Sequence, residues 1–305
     1  MKKRLKRSIT FVIEIFLLLL ATGCGTHDKE NESLVSKYDA VYSNLVDVES
    51  QIVLKDALKN AGVSQASIDI LNHSITKYID AVGSILPVQK EFAVFTENSA
   101  AVYNVDKLER LWKKNYKDFS GRKNCRITAY EAMGSLIDFD ISSKVIEPLY
   151  LVEISDTTAF YSNEDIDRFS VLFNGIESNE NSNSNLQAEQ IKGYWTQAGV
   201  NFPESSKISL ISIWFNAPDP YSGNDQYILH CGHAAVLIHL ENDEVLLLEK
   251  LDYNFPYQLI RFPSEQKALQ YIVEFNCGEI NDEEIVPVVF VNNQHLRIEN
   301  DIFVY

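Results

Sequence analysis

Three residues whose side chains support nucleophilic catalysis lie far apart in the sequence: Cys125, His233 and Glu249. A cysteine attacks as the thiolate, a histidine takes its proton and returns it to a leaving group, and a carboxylate fixes the tautomer of the imidazole ring. These residue types together support hydrolysis or transfer of an acyl group.

The residues around Cys125 favour its thiolate form. Ser120-Gly121 is typical of a turn, Asn124 is a favourable N-cap, and apolar residues at helical spacing follow. Cys125 is therefore predicted at the first position of a helix, where the helix dipole and the neighbouring Arg126 both lower the pKa of a thiol. The Asn124 side chain, or the backbone N–H of Cys125, is also a candidate donor to an oxyanion.

The loop between two predicted strands, 233–240 and 244–251, decides which acid shares a face with His233. A shift of one residue in the register turns every side chain to the other face of the sheet. A two-residue turn at Asn242-Asp243 would place Asp252 opposite His233. Such turns favour a glycine that is missing here, and this one would also set two glutamates against each other.

A three-residue loop over 241–243 instead places Glu249 on the face of His233, within reach of its side chain. We therefore predict Glu249 as the acid that orients His233. Asp252 is the reserve for this role, and Gln258 is the third choice.

Each of these residues also has a purely structural interpretation. A cysteine on a helix is often a small buried apolar residue. A histidine at a strand start is commonly an ordinary surface or core residue. Glu249 ends an apolar run, Leu-Leu-Leu-Glu, and this is also how the polar end of a strand looks.

A metal site is a further alternative, because His230-Cys231-Gly232-His233 places three potential ligands in four residues. The two histidines would point to opposite faces of a strand unless Gly232 interrupts it. No second pair of cysteines or histidines has the spacing of a zinc site. We therefore expect no metal and no other cofactor.

The order of the predicted elements is helices first and then a mainly antiparallel sheet, which is the α+β class. Helical spacing of apolar residues predicts helices within 34–86, 103–117, 163–176 and 187–198, separated in one place by a polar loop at 177–186. Short segments rich in β-branched and aromatic residues predict strands at 208–215, 226–230, 233–240, 244–251, 257–262 and 286–291, with one helix at 264–276.

Residues 1–23 have the features of a secretory signal: a basic head, an apolar run and small residues before Cys24. The apolar run is shorter than the ~20 residues that span a bilayer, although an uncleaved anchor helix is the alternative. Leu20-Ala21-Thr22-Gly23-Cys24 resembles the bacterial lipobox, which implies cleavage before Cys24 and a diacylglycerol on its thiol. With a polar tether over 24–33, we expect a protein anchored by lipid on the outer face of the cell membrane.

Composition limits the class of partner. Hydrophobic residues make up 46% of the chain, enough for a folded core, and the net charge is −16. So negative a surface repels phosphate backbones, and we expect no nucleic-acid partner. Cys125, Cys231 and Cys277 follow Cys24, so at least one thiol stays unpaired unless it pairs between chains.

The order of a helix cysteine, a strand histidine and an acid on the next strand resembles the papain-like fold, and more narrowly the NlpC-type cell-wall peptidases and amidases. His233-Ala234-Ala235-Val236 is similar to the start of the strand that carries the catalytic histidine in that branch. Leu247-Leu248-Glu249-Lys250 is similar to the segment that carries the third catalytic residue in several relatives. The resemblance covers mainly residues 119–137 and 226–262. The interval from Cys125 to His233 is longer than in compact members.

Asn124-Cys125-Arg126 is similar to a motif of an uncharacterised family of Gram-positive lipoproteins.

The resemblance implies a papain-like domain over 101–305, preceded by a helical segment over 34–100. It implies a thiol-dependent hydrolase of amide or peptide bonds, or an acyltransferase, with cell-wall peptide as a candidate substrate. It does not identify the substrate. The alternative is a surface lipoprotein that keeps the fold as a binding module without catalysis.

Overall fold

A computed structural model describes residues 36–96, 99–116, 123–140, 162–180, 183–204, 207–219, 226–277, 287–299 and 302–305. The predicted signal segment and the whole tether region, including Cys24, lie outside these residues. Within them, no helix has both the length and the apolar character needed to cross a membrane.

Seven α-helices lie in the described part of the chain: α1 (Val48–Asn60), α2 (Gln65–Val82), α3 (Val105–Asn115), α4 (Cys125–Met133), α5 (Asn163–Leu172), α6 (Ser184–Gln197) and α7 (Glu265–Asn276). Each follows an aspartate, serine or asparagine whose side chain accepts a backbone N–H of the first turn. These N-caps fix where the helices begin.

The strands are β1 (Val41–Ser43), β2 (Ala93–Val94), β3 (Asp138–Phe139), β4 (Ile176–Ser178), β5 (Val200–Asn201), β6 (Ile208–Pro218), β7 (Tyr227–His239), β8 (Val245–Glu249), β9 (Gln258–Phe262), β10 (Val288–Val291), β11 (Gln294–His295), β12 (Arg297–Glu299) and β13 (Ile302–Val304). Nine of them form one sheet in the order β11-β10-β6-β7-β8-β9-β1-β2, with β4 paired to residues 227–229 at the start of β7. The described pairs are antiparallel, which confirms the α+β class with helices before a mainly antiparallel sheet.

The sheet separates two apolar cores. Val236 and Leu248 point to one face, where they pack with residues of α2, α4 and α6. Leu237 and Leu247 point to the other face, where α7 packs. Because successive residues of β7 and β8 are buried on opposite faces of the sheet, both strands are nearly continuous apolar runs in the sequence.

The helix predicted from the spacing of Leu34, Tyr38, Val41, Leu45 and Val48 is wrong, because the described residues 36–47 are not helical and α1 begins only at Val48. Val41–Ser43 form β1, which pairs with both β9 and β2. Asp39 and Leu45 have left-handed backbone angles, with φ of 53° and 59°, so a helix cannot pass through them. Residues 36–96 thus contribute two strands to the sheet that holds β7 and β8.

Two predicted strands, 226–230 and 233–240, form the single strand β7. The register against β6 shifts at one place, where His233 faces Ile213 and Cys231 faces Trp214. Gly232 is the extra residue of this bulge, so the strand continues through the glycine instead of ending there.

Candidate active site

Cys125 occupies the first position of α4, as its sequence context predicts. The Oδ1 atom of Asn124 accepts the N–H of Ile127 at 2.9 Å, which is the N-cap hydrogen bond. The Cys125 side chain is buried, with 5% of its surface exposed, and its Sγ lies 3.8 Å from the carbonyl oxygen of Gly232. The start of α4 therefore lies against the bulge of β7.

The bulge requires glycine. A Cβ atom on Gly232 would lie 2.5 Å from the ring of Phe215, closer than any side-chain carbon tolerates. That ring stacks on the imidazole of His230, with 5.8 Å between the centroids, and is held in place. Gly232 thus sets the position of the strand immediately before His233.

His233 and Glu249 lie together in the buried interior of the sheet. Nε2 of His233 is 3.4 Å from Oε2 of Glu249, and 2% and 0% of the two side chains are exposed. The β7–β8 register pairs His239 with Val245, which is the register expected from a three-residue loop over 241–243. Two loop residues, Asn242 and Asp243, adopt left-handed backbone angles to close it.

The imidazole of His233 lies close enough to the Cys125 thiol to lower its pKa. Since Nε2 of His233 faces Glu249, Nδ1 is the ring nitrogen left for the thiol. Burial raises the pKa of Cys125, but the hydrogen bond and charge of His233, together with the charge of Arg126, outweigh it, and the net pKa is lowered.

The pKa of His233 changes in the opposite direction. Burial alone would lower it, but the hydrogen bonds to Cys125 and Glu249 and the charges of both groups raise it to about 10. Both shifts favour a thiolate beside an imidazolium, which is the reactive form of a cysteine nucleophile.

The side chain of Arg126 connects the start of α4 to β7 by a hydrogen bond. Its side chain is buried, and Nη1 donates to the carbonyl oxygen of Cys231 at 2.7 Å. The guanidinium charge is thereby held near the Cys125 sulfur. Burial and the Arg126 charge also lower the pKa of His230 to about 4, so His230 is neutral at physiological pH.

The three remaining candidate residues have other partners. Asn124 uses Oδ1 for the N-cap, and its Nδ2 donates to the hydroxyl of Tyr253 at 3.3 Å. The carboxylate of Asp252 accepts the N–H of Tyr253 at 2.6 Å. Gln258 lies directly opposite Glu249 on β9, where its Nε2 donates to the hydroxyl of Tyr103 at 2.8 Å.

Two buried residues near Glu249 were missed by the sequence analysis. The hydroxyl of Tyr271 donates to Oε1 of Glu249 at 2.6 Å. Lys250 is 1% exposed, and its Nζ donates to the carbonyl oxygens of Asp252, Tyr253 and Phe255. The sequence around these two residues does not indicate their contacts. Tyr271 has the spacing of any apolar residue on a helix, and Lys250 looks like the polar end of a strand.

The alternative of a metal site has no support among the described residues. No three histidine, cysteine, aspartate or glutamate side chains there are placed to hold a metal ion. His230 stacks on Phe215, whereas His233 contacts Cys125 and Glu249. The cysteines Cys125, Cys231 and Cys277 are buried, and none of the three is in a disulfide.

Comparison with known proteins places most of the chain in one family. Residues 41–296 match the family model described as a domain of unknown function, DUF4300. Neither the curated proteins nor the solved structures gave a match. The matched range includes Cys125, His233 and Glu249, as well as the strands and helices that position them. The chain therefore belongs to the DUF4300 family, a family of domains whose function is unknown.

Proposed function

We propose that this protein is a thiol-dependent hydrolase of amide or peptide bonds, with Cys125 as the nucleophile, His233 as the general acid and base, and Glu249 as the residue that orients His233. The observation that carries the proposal is the buried series of contacts from Cys125 through His233 to Glu249. A cysteine at a helix start beside a histidine on an antiparallel sheet also supports a papain-like arrangement.

The chemistry follows the covalent route of cysteine hydrolases. The Cys125 thiolate attacks the carbonyl carbon and forms a C–S bond, and the C–N bond then breaks as His233 gives its proton to the leaving amine. Water attacks the resulting thioester and its proton passes to His233. The C–S bond then breaks, which releases the carboxylic acid product and restores the Cys125 thiolate. A nucleophile other than water would make the same site an acyltransferase.

The oxyanion formed in both steps needs a hydrogen-bond donor near the sulfur. The backbone N–H of Cys125 belongs to the first turn of α4, where backbone donors point away from the helix. The Asn124 amide already serves the N-cap and contacts Tyr253. We assign the donor role to the Cys125 N–H and regard Asn124 as its structural support.

The location proposed for the protein is the outer face of the cell membrane, where Cys24 would carry the lipid and cell-wall peptide would be within reach. Cys24→Ala is the test. The variant should lose the acyl mass and partition to the soluble fraction, whereas wild-type protein that starts at Met1 without lipid would disprove the anchor.

The burial of the site favours a second candidate, a surface lipoprotein that keeps this fold as a binding module. Only 5% of Cys125 and 2% of His233 are exposed, and a substrate must reach the sulfur. In this case the three side chains would stabilise the core without turnover.

Activity tests separate the two candidates. The purified chain is screened with 4-nitrophenyl acetate, for a burst of nitrophenolate, and with peptidoglycan fragments, for new amines or carboxylates. We expect both signals from the wild type and neither from Cys125→Ala, with Cys277→Ala as the matched control because Cys277 is also buried and its Sγ lies against the carbonyl oxygen of Pro287. Equal turnover by wild type and Cys125→Ala would refute the proposal.

A further inference from the structure

We infer that Tyr271 is a positioning residue of this site, which holds the Glu249 carboxylate in the orientation that presents its second oxygen to His233. The inference rests on the proposed function. It adds a residue from α7, on the opposite side of the sheet from α4, to a site otherwise built from α4, β7 and β8.

The contacts of the carboxylate divide its two oxygens between two partners. Oε1 of Glu249 accepts the Tyr271 hydroxyl at 2.6 Å, and Oε2 faces Nε2 of His233 at 3.4 Å. Burial and the negative charge of Glu249 raise the pKa of Tyr271 well above its ordinary value, so the hydroxyl keeps its proton and acts as the donor. With Oε1 fixed in this way, Oε2 is the oxygen available to the imidazole.

The Tyr271 ring is itself immobilised by aromatic neighbours. It packs edge-on against Phe95, with 5.1 Å between the centroids, and against Tyr38 at 5.5 Å. Phe262 and Phe275 lie at 5.7 Å and 5.5 Å. A tyrosine held on several sides positions its hydroxyl without a further loss of side-chain freedom when the site forms.

A second tyrosine, Tyr103, lies near the carboxylate in the described part of the chain. Tyr103, from the chain segment before α3, is close enough that the Glu249 charge contributes to the raised pKa of its hydroxyl, although burial is the larger cause. Its hydroxyl accepts hydrogen bonds from Asn44 and Gln258. Tyr271 is thus the tyrosine with a hydrogen bond to the carboxylate itself.

Tyr38 provides a matched control. It is also buried, belongs to the same aromatic cluster, and donates its hydroxyl to a carboxylate at 2.8 Å, but that carboxylate is Glu274. Tyr271→Phe and Tyr38→Phe therefore remove the same kind of hydrogen bond from one cluster. Only the first change touches the proposed site.

The experiment measures the rate at which iodoacetamide alkylates Cys125 in the full chain as a function of pH, with peptide mapping to identify the cysteine. In Tyr271→Phe the carboxylate loses its fixed orientation and supports the imidazolium less well. The thiolate should then form at a pH about 0.5 to 1 unit higher, which is about 3- to 10-fold slower alkylation on the acid side. Tyr38→Phe should follow the wild-type profile.

A Tyr271→Phe profile that coincides with the wild type overturns the inference. His233→Ala distinguishes this outcome from failure of the proposed function. If His233→Ala shifts the profile and Tyr271→Phe does not, only the role of Tyr271 is refuted, whereas no shift in either variant refutes the proposed site. Should Tyr271→Phe fold poorly, 3-fluorotyrosine at position 271 keeps the ring and the hydroxyl but changes the strength of its hydrogen bond to Glu249, and should move the profile away from that of the wild type. No movement would again refute the role.

Discussion

Nε2 of His233 faces Oε2 of Glu249 across 3.4 Å because a three-residue loop sets the register between β7 and β8. The described pairing runs from His239–Val245 to Val236–Leu248, and Glu249 comes directly after it. One residue fewer in that loop would turn Glu249 to the other face. A feature of the hairpin turn thus determines which acid meets the histidine.

The charge of Glu249 should matter more than its size. Glu249→Gln keeps the shape of the side chain but removes the charge that supports the imidazolium, so we expect kcat/KM to fall by about 100-fold or more. Glu274→Gln is the control, because Glu274 accepts a tyrosine hydroxyl outside the site. Wild-type kcat/KM in Glu249→Gln would show that the carboxylate does not orient His233.

The pH profiles of alkylation and of hydrolysis should differ. Alkylation needs only the thiolate, so its rate should rise as the Cys125 thiol loses its proton, below the pH at which an ordinary thiol does, and then stay level. Hydrolysis of an amide also needs the proton on His233, so its rate should fall again as the pH passes about 10. Stopped assays of both reactions over the same buffers give the comparison, and a hydrolysis rate that stays level through pH 10 would contradict the acid role of His233.

Gly232→Ala should damage both stability and reactivity. The new methyl group meets the Phe215 ring at 2.5 Å, and overpacking of this kind costs about 1–3 kcal/mol. The strand before His233 would shift, so we expect slower alkylation of Cys125 as well. Urea unfolding measures the first effect and peptide-mapped alkylation the second.

Gly193→Ala is the matched glycine control for that experiment. Gly193 lies inside α6, and a Cβ atom there would have no neighbour within 4 Å. Alanine favours a helix over glycine by about 0.5–1 kcal/mol, so this variant should be slightly more stable than the wild type. Equal destabilisation by both substitutions would mean that the Phe215 contact is not the cause.

Lys250→Met should unfold the segment that follows β8. The ammonium donates to the carbonyl oxygens of Asp252, Tyr253 and Phe255, and hydrogen bonds to a charged group contribute about 1.5–3 kcal/mol each. We expect a loss of at least about 2 kcal/mol in urea unfolding. Lys267→Met, at a partly exposed ion pair with Asp39, should change the free energy of unfolding by less than about 1 kcal/mol.

The local geometry of the candidate site was predictable from sequence. Asn124 followed by apolar residues at helical spacing indicates a helix that begins at Cys125, because N-capping is a local hydrogen bond. The choice of Glu249 over Asp252 also follows from local rules, since turn residues and charge repulsion between glutamates decide the register.

Contacts between distant elements were not predictable in this way. Tyr271 reaches Glu249 because α7 packs on the face of the sheet opposite α4, and helical spacing gives no sign of which strand a helix covers. The same limit applies to Val41–Ser43, whose apolar spacing also fits a helix. Their strand conformation depends on pairing with Leu259–Arg261, far away in the chain.

The reactivity of Cys125 in the folded protein tests the central claim most directly. Native protein is treated with iodoacetamide at pH 6 to 7, and each cysteine is quantified by peptide mapping. Cys231 and Cys277 serve as internal controls, since both are buried and burial raises the pKa of Cys277 to about 12. We predict that Cys125 reacts faster than a free cysteine at the same pH, that the other two stay unmodified, and that His233→Ala abolishes the difference. A Cys125 that stays inert until the chain is unfolded in urea would contradict the account.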